Sequence, residues 1–243
     1  MSVRERSCKR SFSPLASWQQ VLPAQSQDFL RQAFTRWGRP EQLRLDNGTP
    51  WGASGGLPTG LVLWLAGLGV RVVHNPPRRP QDNGVIERSQ GTGKRWAEPG
   101  QCASAAELQQ RLAEADRRQR ERYPYRDSQS RSQVFPGLRH SGRPYRAAWE
   151  RRHWSLQQAE ALLSEVVVAR QVDALGRVSL YSRNVYVGKS WTGTTVYVRY
   201  DPEGKRWMFS DKDDRLLQHQ AAPEICRERI LDLTATDGRS KRR

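Results

Sequence analysis

The 243 residues carry 41 Lys and Arg against 25 Asp and Glu, a formal charge of +16, with 36% hydrophobic residues and nine Trp. That length suits more than one small module, and that charge favours a polyanionic partner, nucleic acid, over a basic protein with no particular ligand. The most apolar run, Leu61 to Val73, holds Gly67, Gly69 and Arg71 and is too short for a bilayer; Cys8, Cys102 and Cys226 lack metal-ligand or paired spacing; and no signal-like apolar core opens the chain. We therefore expect a cytoplasmic, nucleoid-associated protein with no membrane partner.

Residues 1–24 read as irregular. Residues 25–37 predict a helix in which Phe29, Leu30, Ala33, Phe34 and Trp37 form one apolar stripe; Gly38 stops it and Pro40 prevents its resumption. Gln42 to Asp46 predicts a short strand, Asn47 to Gly56 a loop, Leu57 to Gly69 a buried helix and Val70 to His74 a β-branched strand. Pro76, Pro77 and Pro80 stiffen the loop from Asn75 to Gly84. Val85 to Trp96 follows as a helix, capped by Asp82 or Asn83. This alternation is an α/β pattern. Ser104-Ala-Ala-Glu107 is a capping box that opens a helix to about Arg122. Residues 123–153 read as a basic linker draped over a neighbour, and Ser155 to Gln158 caps a short helix to Leu163. The period then switches to two: Glu165–Val172, Arg177–Gly188, Thr194–Asp201, Arg206–Ser210 and Leu216–His219 predict five strands of a small closed barrel of SH3-like size. The organisation expected is an irregular segment over 1–24, an α/β core over 25–122, a linker with a short helix over 123–164, a β-barrel over 165–222 and a basic tail over 223–243.

Two motifs carry candidate chemistry: Arg44-Leu-Asp46-Asn-Gly48 and Pro80-Gln-Asp-Asn-Gly-Val-Ile-Glu87-Arg88. The first sets a carboxylate at a strand end, the second sets one near a helix start, where the helix dipole favours the anion. Roughly forty residues lie between them, enough for one helix and one strand. Two carboxylates converging in a very basic chain point to metal-dependent chemistry on nucleic acid. The plainer reading is that Asp46 caps the Asn-Gly turn and Glu87 is a solvent-side helix residue beside Arg88 and Lys94.

In this order, the motifs together with Gly69-Val-Arg-Val-Val-His-Asn-Pro-Pro resemble the integrase core of bacterial insertion-sequence transposases, over roughly residues 25–160. The resemblance implies an RNase H-like fold, an Asp–Asp–Glu triad with Mg²⁺ or Mn²⁺, and a trailing DNA-binding domain. Asp46 matches the family's second Asp and Glu87 its Glu, as catalytic and metal-binding residues. The first Asp has no counterpart: Glu5, Asp28 and Glu41 are the only acids before Asp46, and none lies on an opening strand. The chain thus looks like the downstream portion of such a core, without its first strands. Two carboxylates bind divalent ions weakly, whereas paired-ion phosphodiester chemistry uses ions about 4 Å apart held by more ligands.

Arg78 and Arg79 in the stiff loop and Lys94 and Arg95 on the following helix are candidate phosphate contacts. In the barrel, Val178, Leu180, Val196, Val198 and Tyr200 share an inward phase, leaving Arg177, Tyr181, Tyr197 and Arg199 outward for phosphate contact and stacking. Three readings stay open: a catalytically impaired transposase-family core, a non-catalytic DNA-binding regulator, and an enzyme completed by a homo-oligomer or by another chain that supplies the missing strands.

Overall fold

The computed structural model describes residues 22–48, 50–52, 55–76, 84–181 and 183–235. Helix α1 spans Pro23–Trp37, begun by a proline at its first turn and ended at Gly38, whose φ is 76°. Leu30 and Phe34 of its stripe are buried, but Phe29 is 66% exposed. The buried side of α1 is turned instead toward Ser26 and Gln27, because the Gln27 amide donates to the Leu231 carbonyl at 3.0 Å.

Strands β1 (Gln42–Leu45) and β2 (Arg71–His74) pair in parallel, with Leu43 opposite Val72 and Leu45 opposite His74. Parallel neighbours need a crossover, supplied by α2 (Gly60–Gly67). This helix starts three residues later than its apolar run, since the Thr59 hydroxyl accepts from the Val62 amide at 3.3 Å and caps it. Its exit is a Schellman turn: Gly69, at φ 70°, donates to the Ala66 carbonyl and Val70 donates to the Leu65 carbonyl. Gly60 to Leu65 are all buried, which explains a helix apolar on every side.

Helix α3 (Gly84–Ala97) packs against α4 (Ala105–Glu121). The cap of α4 forms as expected, with the Ser104 hydroxyl accepting from the Glu107 amide at 3.1 Å. Residues 123–153 hold more structure than a linker reading expects: β3 (Pro124–Arg126), β4 (Gln129–Ser130), α5 (Arg131–Val134) and α6 (Ala147–His153). Between α5 and α6 the chain lies on the turn after α1, where Arg143 donates to the carbonyls of Pro40 and Gly69 at 2.7 and 2.8 Å. Tyr145 and Glu150 then enter the core.

Helix α7 (Leu156–Ser164) crosses α2. The adjoining Trp154 is 2% exposed, and its indole N–H donates to the Trp64 carbonyl at 2.9 Å. Its ring lies where a Cβ on Gly67 would project. Gly67→Ala is therefore expected to destabilise by about 1–3 kcal/mol through overpacking, despite alanine's better helix propensity. An unchanged urea midpoint would refute this contact.

The remaining strands are β5 (Val168–Gln171), β6 (Arg177–Leu180), β7 (Arg183–Tyr186), β8 (Thr195–Asp201), β9 (Arg206–Ser210) and β10 (Leu216–Ala221), followed by α8 (Arg227–Leu231). The fold is mixed α/β, but the expected closed barrel does not form among the described residues. Instead an antiparallel sheet runs in the order β10-β9-β8-β5, and β6 and β7 make a separate hairpin. The predicted single strand Arg177–Gly188 is broken at Tyr181, whose φ is 47°, so the chain turns back there. The inward phase is as expected: Val178, Leu180, Val196, Val198 and Tyr200 are buried, with Trp207 and Phe209 beside them. One hydrophobic cluster runs from Leu30 and Phe34 through Trp64 and Trp154 to Phe209, Ile230 and Leu231.

Candidate nucleic-acid interface

The parallel pair β1–β2 delivers Asp46, Asn47, His74 and Asn75 to the carboxyl ends of adjacent strands, the usual ligand-facing end of an α/β unit. Asp46 is exposed, and its Oδ1 accepts from the Gly48 amide at 3.2 Å, so the carboxylate does cap the Asn-Gly turn. The imidazole Nδ1 of His74 lies 3.2 Å from the Asp46 carbonyl, and the Asn47 amide donates to the Asn75 carbonyl at 2.8 Å. These bonds tie the two strand ends together. Beside them opens a cleft of about 330 Å³ lined by Asn47, Trp51, Thr59, Val72, His74 and Val166. Trp51 and Thr59 have no chemical signature in the sequence; both line the cleft, and the Thr59 hydroxyl donates to the Trp51 carbonyl at 3.4 Å.

Glu87 sits exposed in the first turn of α3. No group of three or more His, Cys, Asp and Glu side chains gathers for a metal among the described residues. The upstream acids do not change that picture. Asp28 accepts from Arg31 at 3.1 Å on the outer side of α1, Glu41 is exposed before β1, and Glu5 lies outside the described residues.

The candidate DNA contacts divide into distinct groups. Arg78 and Arg79, like the caps Asp82 and Asn83, lie outside the described residues. Lys94 and Arg95 are exposed in the last turn of α3. Tyr197 and Arg199 both point outward from β8, as the two-residue period requires, and line a small cleft with Val167, Ser210, Asp211 and Lys212. Arg177 is committed elsewhere: its Nε and Nη2 reach the Asp173 carboxylate at 3.1 and 3.0 Å. The Arg177 backbone amide and side chain hold that carboxyl below its usual range.

Tyr181 corrects the outward assignment. Its hydroxyl donates to the Pro58 carbonyl at 2.8 Å and its ring packs against Trp207 at 6.0 Å. Burial, and then the charge of Glu224, push its phenol well above the ordinary value. The left-handed turn at this residue reverses the side-chain phase, so a position counted as outward is swung onto the start of α2.

No protein-family model matches the chain. No helix among the described residues is long and apolar enough to cross a membrane.

Proposed function

We propose that the chain is a DNA-binding protein related to integrase-core transposases, carrying the remnant of a strand-transfer site at Asp46 and Glu87 and impaired in its chemistry. The observation that carries this reading is the β1–α2–β2 unit of a strongly basic chain, which ends in an exposed aspartate beside a histidine and an open cleft. An RNase H-like core followed by an SH3-like accessory unit belongs to the same reading. Mg²⁺ or Mn²⁺ is the cofactor that such chemistry uses. Among the described residues no group of three or more metal-ligating side chains gathers, and Glu87 does not line the cleft beside Asp46, so these carboxylates do not make the ligand set that neutralises the pair of ions strand transfer uses.

A mobility-shift series over salt tests the DNA reading. Affinity for duplex DNA is expected to fall at least tenfold between about 50 and 200 mM salt, as phosphate neutralisation requires. Salt-insensitive binding would remove the reading. Incubation with DNA ends and Mg²⁺ or Mn²⁺ is expected to give no cleavage by this chain alone. Cleavage abolished by Asp46→Asn or Glu87→Gln would instead establish an active enzyme.

A second reading, a non-catalytic regulator of an intact element, is favoured by the outward Tyr197 and Arg199 on β8, which need no metal to meet a phosphate backbone. Duplex binding lost in Arg199→Ala and retained in Asp46→Asn would support that reading over a site that uses its carboxylates.

A further inference from the structure

The segment from the end of α4 through α5 carries a surface that none of the preceding roles uses. Its sequence, Arg122-Tyr-Pro-Tyr-Arg126, sets two tyrosines between two arginines. Tyr123 packs on Trp96 of α3 with centroids 5.5 Å apart, and Tyr125 packs on Phe135 with centroids 5.7 Å apart. Both pairs are tilted rather than stacked, at 56° and 57°, so neither ring covers its partner's face. Tyr123, Tyr125 and Phe135 are 50%, 41% and 46% exposed, far more than rings of a satellite core would be.

Cations frame these rings. The Arg118 guanidinium lies 4.7 Å from the Trp96 ring, and those of Arg126 and Arg131 lie 5.3 and 5.6 Å from the Tyr125 ring. Arg120 pairs with Asp116 and Glu121, but Arg118, Arg126 and Arg131 make no ion pair among the described residues. Their charge remains available to a polyanion. The hairpin β3–β4 that presents Tyr125 turns through Asp127 and Ser128, both at positive φ, and the Ser132 hydroxyl of α5 anchors to the Arg120 carbonyl at 3.0 Å. Rings and cations are thus held on a short, tied framework.

Partly exposed rings flanked by guanidiniums that rest on them and make no ion pair among the described residues match the chemistry of single-stranded nucleic acid, in which unpaired bases stack while phosphates meet Arg. Duplex DNA offers phosphates but no free base faces, and an acidic peptide offers charge but no flat partner for the rings. We propose that Tyr125 and Phe135, flanked by Arg126 and Arg131, form a stacking platform for unpaired bases of single-stranded DNA. This rests on the nucleic-acid part of the reading above and is independent of any strand-transfer chemistry.

Fluorescence anisotropy with labelled oligothymidylate and with blunt duplex tests it on the full chain. Tyr125→Leu and Phe135→Leu keep apolar bulk but remove the ring. Each is expected to weaken oligothymidylate binding about tenfold while leaving duplex binding and the circular dichroism spectrum unchanged. Tyr125→Phe keeps the ring and is expected to bind like the wild type. Three results would each overturn the platform: unchanged oligothymidylate binding in both Leu variants, equal loss on duplex, or competition by polyglutamate as effective as that by oligothymidylate. A wild-type chain that fails on duplex as well removes the DNA reading itself, whereas intact duplex binding without ring-dependent single-strand binding removes the platform alone.

Discussion

Glu150→Ala is expected to lower stability by about 3–5 kcal/mol, the loss typical of breaking a buried charge pair from one side. Glu150 of α6 is buried and accepts from Arg31 Nη2 at 2.6 Å and Nε at 3.1 Å, from the Trp64 indole at 3.2 Å and from the Tyr145 hydroxyl. Alanine leaves a half-buried guanidinium, an indole N–H and a phenol facing a void. Glu150→Gln keeps some of the acceptors and is expected to cost less. Burial alone would raise the Glu150 carboxyl, but the hydrogen bonds from Arg31 and then Tyr145 outweigh it and hold it below its ordinary value of 4.5. A depressed folded value means that this stabilisation is complete above pH 4.5 and is lost as pH falls through the lower folded value. Urea unfolding at neutral and acid pH should therefore show a steeper acid loss in the wild type than in Glu150→Gln. Parallel pH profiles would contradict the assignment.

Glu224→Ala is expected to cost about 2–3 kcal/mol. Its carboxylate is fully buried after β10, accepting from the Trp207 indole at 2.8 Å and from Arg183 of β7. Arg183 is partly exposed and can turn to water when its partner is lost, so the cost comes mainly from the stranded indole and the void. This carboxylate couples the β6–β7 hairpin to the four-stranded sheet in place of ladder hydrogen bonds. Loss of Glu224 should therefore increase amide exchange in residues 183–186 more than in β8. Uniform protection in the variant would refute that coupling.

Much of the fold is legible where local pattern decides it. The apolar runs mark α2 and its flanking strands, and Ser104 and Ser155 announce the helices they cap. The alternation over 195–200 marks the inward face of β8. What cannot be read locally is decided by distant partners. Nothing around Tyr145 and Glu150 advertises burial, because the guanidinium that makes Glu150 a core residue lies 119 positions upstream. Tyr181 adopts a conformation that a non-glycine residue rarely takes, so no turn signal separates β6 from β7 and the strand pattern predicts a closed barrel. At the candidate site, the strand-end position of Asp46 is legible, while the cleft beside it is also lined by Thr59, Val72 and Val166, which no local pattern groups together. The two tyrosines between arginines at 122–126 are visible in the sequence, but the proline and high charge there point to a linker.

The bond from Gln27 to the carbonyl of Leu231 joins positions 204 apart, and the Arg31–Glu150 and Tyr181–Pro58 links span 119 and 123. Such high contact order slows folding, because long loops must close before these contacts give any return. On a ribosome adding about 5–20 residues per second, α1 would wait on the order of ten to forty seconds for its last partner to emerge. Phe34 meets its ring partners Trp64 and Tyr145 well before that, so the Gln27 bond to the end of α8 is the last of these links to close and fastens α1 only after the segment carrying Leu231 has emerged.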